Sequence, residues 1–72
     1  MDRLELQRRL EEAERRVERG EQNITGQHAM VRSLERGGHD ARAANLFLRW
    51  LLGVQARYLQ ERDLLRKELG EK

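Results

Sequence analysis

The chain has no cysteine, no proline and a single residue of each aromatic type. Without cysteine there is neither a disulfide nor a thiolate-metal staple, a composition that fits a reducing compartment. Scarce aromatics, absent proline and a 39% share of charged residues suit long solvated helices better than sheets. Long hydrophobic runs are missing too. The most apolar stretch, Leu46 to Val54, includes Arg49 and is far shorter than the roughly 20 residues that a membrane span needs. No apolar run comes after the opening Met1-Asp2-Arg3-Leu4-Glu5, so no secretory signal is read there and a cytoplasmic location is expected. Asn23-Ile24-Thr25 matches a glycosylation acceptor, a triplet common by chance that matters only in a secreted chain.

An excess of one charge sign is lacking as well. Fifteen basic residues stand against 13 acidic ones for a net charge of +2, and the pI of 9.7 is high because 13 of the basic residues are late-titrating arginines. A chain of 72 residues makes at most one domain, here 1–72, and its core is marginal unless a second copy joins it.

What is present is helical periodicity. Leu6, Leu10, Ala13, Val17, Gly20, Ile24, Gln27, Val31 and Leu34 recur at alternating spacings of four and three, the seam of a helix packed lengthwise on another, coiled-coil fashion. Glu5-Arg9, Glu11-Arg15 and Glu12-Arg16 stand one turn apart on the outer face and add about 0.2–0.5 kcal/mol each. The seam ends before Gly37-Gly38-His39-Asp40. Gly37 is expected to take the left-handed conformation that closes a helix, Gly38 to let the chain reverse, His39 to bond a terminal carbonyl, and Asp40 to cap a second helix. The pattern predicts helices over about 2–36 and 41–69, joined by a turn at 37–40.

In the second helix, a turn of about 100° per residue counted from Leu46 gives a central stripe of Ala44, Phe47, Leu51, Val54, Tyr58, Leu65 and Leu69. Leu46, Trp50 and Leu64 flank it on one side, and Ala41, Leu48, Leu52 and Leu59 on the other. The apolar arc is then about 240° wide, more than one neighbouring helix hides. Folding about Gly38 would set Val31 against Phe47, Ile24 against Gly53 or Val54, and Gly20 against Tyr58, the last pair small against large. The expected hairpin seam is Leu10, Val17, Gly20, Ile24, Val31 and Leu34 against Phe47, Leu51, Val54, Tyr58 and Leu65. Leu46, Leu48, Trp50, Leu52 and Leu59 are left as candidate interface residues. Gly20 and Gly53 are explained by close helix approach, whereas Gly26 has no role in this reading. Gln27 and Gln55 stand at or near the seam, where a polar residue can fix register.

Chemistry-bearing patterns are sparse. His28 and His39 do not form a ligand spacing on one helical face, Ser33 and Thr25 are the only hydroxyl nucleophile candidates of their types, and the carboxylates interleave with arginine. No catalytic residue, metal site or cofactor is expected, and the chain is not read as an enzyme. The arginines support a second reading, a weak and salt-sensitive association with nucleic acid. In the first helix Glu5, Glu11, Glu12, Glu14 and Glu18 balance them, and Arg42, Arg49, Arg57, Arg62 and Arg66 spread around the second.

Several of these residues carry a resemblance. Arg16-Val17, Gly20-Glu21, Ile24, Gln27, Val31, Leu34-Glu35, Gly38-His39-Asp40, Ala44, Leu48, Gln55, Leu59, Arg62-Asp63, Leu65 and Glu68-Leu69 resemble short uncharacterised helical proteins of rhizobia and related α-proteobacteria. Gly-His-Asp between two charged helices is the most specific piece. The resemblance implies a helical hairpin in a bacterial cytoplasm with no known activity. Ala41 stands where a threonine is usual in that group, and Leu52-Gly53 where acidic residues are usual. The expected architecture is all-α, an antiparallel two-helix hairpin dimerising into a four-helix bundle, and the expected role is a small structural or interaction module.

Overall fold

The computed structural model describes residues 2–70, which form two helices, α1 (Arg3–Arg36) and α2 (Arg42–Glu68), packed lengthwise on each other. The all-helical hairpin read from the periodicity is what the chain forms. Helix α1 starts at Asp2, whose extended backbone (φ −77°, ψ 164°) lets its side chain accept the Glu5 N–H at 2.8 Å. That bond satisfies one of the amides a helix start leaves without a partner.

At the other end of α1, Gly37 keeps helical geometry (φ −80°) and Gly38 takes the left-handed conformation (φ 73°). The expected roles of the two glycines are therefore displaced by one residue. The N–H of His39 bonds the Leu34 carbonyl at 2.9 Å and that of Gly38 bonds the Glu35 carbonyl at 3.1 Å. This pair of bonds requires the left-handed residue one place beyond the last helical turn. His39 thus closes the turn through its main chain. Its imidazole lies over Gly37, where an added Cβ would come within 2.8 Å of Cδ2. Asp40 does not take the expected N-cap position: the N-cap of α2 is Ala41, which has no side-chain cap bond, and Asp40, one residue earlier, accepts the Arg42 N–H at 3.0 Å.

The hairpin core has two clusters. Leu10, Ala13, Leu65 and Leu69 with Leu6 hold the end near the chain termini, and Val31, Ala41 and Leu48 with Ile24, Leu34 and Ala44 hold the end near the turn. In α1 every position of the expected seam is buried or half-buried. The seam of α2 is the expected one in part: Leu51, Val54, Tyr58 and Leu65 are buried or half-buried, whereas Phe47 is exposed and Leu48 and Gln55 turn inward. Its buried and half-buried positions include Ala41, Ala44, Leu48, Leu51, Gln55, Tyr58, Arg62, Leu65 and Leu69, again at spacings of three and four. Phe47, assigned to the seam, is 50% exposed, and Leu48, assigned to the interface, is 7% exposed.

Two causes explain the error. Counting about 100° per residue drifts by ~20° per heptad from a repeat of 3.5, and an apolar-only stripe passes over Gln55 and Arg62, which occupy seam positions. The register moves with it: Gly20 meets Gln55, not Tyr58, and Val31 packs with Ala41 and Leu48, not Phe47. The result is a rod. Its radius of gyration is 16.1 Å, against about 11 Å for a compact chain of this length. Among the described residues no large side chain falls below 2% exposure.

Candidate interaction surface

Two glutamines cross the hairpin. Gln27 Nε2 donates to the Ala44 carbonyl and Gln55 Nε2 to the Val17 carbonyl, both at 2.9 Å. Both residues are buried, and Gln55 Oε1 has no hydrogen-bond partner. A Cβ on Gly20 would overlap that same oxygen. The glycine is what admits the amide to the seam, and a helix-unfavourable residue is tolerated there for that reason.

Ion pairs flank the half of the rod near the termini. Arg16 reaches Glu61 at 3.6 Å and Arg66 reaches Glu14 at 3.1 Å across the helices, from the positions either side of a heptad seam. Within α1, Glu5-Arg9 (3.7 Å) and Glu12-Arg16 (3.6 Å) pair as expected, whereas Arg15 turns to Glu12 at 2.9 Å and leaves Glu11. The Arg15 hydrogen bond and charge, helped by Arg16 and Arg19, hold the Glu12 carboxyl below its ordinary range. Exposed pairs of this kind contribute little to stability. They place charge on this half of the surface, where Leu4 and Leu64 are also exposed, at 58% and 56%.

The half near the turn is different. Because α2 buries Leu48, it turns Leu46, Phe47 and Trp50 outward, with exposures of 63%, 50% and 61%. Phe47 and Trp50 stack with ring centroids 5.6 Å apart and planes 19° apart, forming a ridge. Beside it runs an open groove of about 510 Å³ between the helices, bordered by Gln22, Asn23, Gly26, Met30, Phe47 and Leu51. Met30 on α1 is also exposed, at 54%. Gly26 is exposed on the border of the groove, and a Cβ there would meet nothing within 4 Å.

Of the five candidate interface residues, Leu46 and Trp50 lie on this face, Leu52 is exposed, Leu59 is half-buried and Leu48 belongs to the core. The two flanks left unresolved by the sequence are thereby separated: the one carrying Leu46, Trp50 and Leu64 is open, and the other is partly consumed by the hairpin. Met30 and Gly26 were missed. The unexplained Gly26 one turn before Met30 was the available signal, but its meaning depends on Phe47 standing across from it.

His28, His39, Thr25 and Ser33 are exposed. Among the described residues no three metal-ligating side chains gather, and no helix is long and apolar enough to cross a membrane. No family model, curated protein or solved structure matches the chain.

Proposed function

We propose that this chain is a small structural or protein-interaction module that self-associates as a homodimer, two hairpins forming a four-helix bundle. The observation that supports it is the exposed Leu46–Phe47–Trp50 face on a protein with so little fully buried. A contiguous apolar surface on a small chain is usually an interface, and a core this thin rarely holds a fold alone. A second copy is always present where the first one is. With no cysteine to oxidise, the cytoplasm is the compartment this reading assigns. The role is non-enzymatic.

The reading based on nucleic acid has less support. Arg9, Arg15, Arg16, Arg42, Arg62 and Arg66 each have a carboxylate within ion-pair distance, which lowers the positive potential offered to phosphates.

Mass in solution at several concentrations tests the proposal. The wild type is expected to be dimeric, Trp50→Glu to dissociate, and Leu52→Glu to remain dimeric. A wild type that stays monomeric and folded at high micromolar concentration would refute self-association. A shift assay in which the protein retards DNA or RNA at low salt and releases it at moderate salt would favour the other reading.

A further inference from the structure

The reversal between the two helices is confined to very few residues. Gly37 already has helical torsions (φ −80°, ψ −1°), Ala41 lies close to them (φ −103°, ψ 10°), and Gly38 is left-handed (φ 73°). Residues 38–40 are therefore what separates the hairpin from one uninterrupted helix running from Arg3 to Glu68. Little else ties the turn down. The bonds from the His39 and Gly38 N–H groups to Leu34 and Glu35 would be exchanged for ordinary helical ones, and the exposed Asp40–Arg42 pair contributes little.

The seam of α1 also has a second continuation. Carried past Leu34 at the same spacings of four and three, it passes through Ala41, Leu48 and Gln55, which the hairpin buries too, and through Leu52 and Leu59. The hairpin leaves Leu52 47% exposed and Leu59 half-buried, because it uses Leu51 and Tyr58, the residue before each. We propose that residues 38–40 are a hinge at which the hairpin opens into one long helix, and that α1 of a second copy then covers the Leu52–Leu59 flank, the two chains exchanging α2 about a twofold axis at the turn. The flank is continuous with the α1–α2 interface through Leu48 and Gln55, so α2 turns by only about 50° to present it. An apolar arc too wide for one neighbour thereby serves two arrangements of one chain. Gly38 sets the balance between them: glycine takes the left-handed conformation freely, and a glycine pair is unfavourable inside a helix. Asn45 also falls on the second seam where the hairpin has Ala44, and the hairpin is the resident form for both reasons. This hinge goes beyond the four-helix bundle and does not rest on it.

Spin labels read the two arrangements apart. The chain has no cysteine, so labels on Arg19→Cys and Ala56→Cys, both exposed positions, report on those sites alone. In the hairpin they sit on adjacent helices, and in the open helix they lie about 55 Å apart. Labelled protein diluted into excess unlabelled protein gives the distance within one chain. Gly38→Ala, whose Cβ meets nothing but whose backbone is left-handed, should shift the opening equilibrium by about 30-fold per chain. The short distance is then replaced by the long one in a dimer whose circular dichroism remains helical. Adding Leu52→Glu, which puts a charge in the second seam but on an exposed site of the hairpin, should bring the short distance back. A Gly38→Ala protein that keeps the short distance up to high micromolar concentration, or that loses its helix, would overturn the hinge. A long distance indifferent to Leu52→Glu would overturn the exchanged seam. A monomeric wild type would refute the bundle alone, because the hinge is read in the Gly38 variant.

Discussion

At the residue scale, single side chains set the helix ends and the spacing between helices. The carboxylate of Asp40 accepts from the Arg42 guanidinium at 2.8–3.2 Å and from its N–H at 3.0 Å. The Arg42 side chain first, and its N–H second, hold the Asp40 carboxyl below the ordinary range. A carboxyl depressed in the folded state stabilises fully above its unfolded value and loses that contribution as pH falls through the folded one. Stability should therefore decline on the acid side of the usual aspartate range. Asp40→Asn, which keeps an acceptor but no charge, should flatten that limb, and Asp40→Ala should also lower the neutral-pH melting temperature. Melts at matched concentration down to about pH 2 check this, and superimposable acid limbs for all three proteins would exclude the assigned role.

Glycines offer a second test at this scale, because they differ in what surrounds them. Gly53 does not sit at the expected close helix approach, since a Cβ there meets nothing, and Gly53→Ala should stabilise by up to ~1 kcal/mol through helix propensity. Gly20→Leu should cost about 1–3 kcal/mol by overpacking Gln55. In a Gln55→Ala background the penalty at Gly20 should largely vanish, a coupling that a double-mutant cycle reads directly. Equal effects at Gly20 with and without Gln55 would show that the amide is not what Gly20 accommodates.

At the element scale, the question is what holds α2 at its rotation and register. Leucines alone would tolerate several rotations. Gln27 and Gln55 each reach a main-chain carbonyl on the opposite helix, and each bond exists in only one alignment. Buried polar groups at seam positions commonly lower stability and raise specificity. The double change Gln27→Leu with Gln55→Leu is expected to hold or raise the melting temperature, since it removes the unsatisfied Gln55 Oε1. It should also broaden the distribution of oligomers in native mass spectrometry and of interhelix distances between spin labels. One sharp species with the wild-type distance would assign register to the apolar contacts instead.

At the scale of the whole molecule, thin burial and an exposed ridge make stability and association a single property. If the fold is completed by a second copy, its melting temperature rises with protein concentration. Leu48→Asp should unfold the chain outright, because a charge placed in the hairpin core has no partner. Leu46→Asp should instead give a less stable but helical monomer. Identical melting curves across a hundredfold concentration range would mean that each hairpin stands alone.

The helix-one seam and the break at Gly37-Gly38 were legible from the chain alone, because each depends on residues a few places apart. Fold class came from the same local periodicity. The inward placement of Leu48 and Gln55 did not. A side chain such as Gln55 can be buried only where another helix supplies both a carbonyl and the space beside a glycine, here Val17 and Gly20. That is a property of two helices together. Once Gln55 and Leu48 were turned inward, Phe47 turned out and came to border an open groove with Gly26. The tertiary fit of a polar side chain thus decided which apolar residues of this protein meet water.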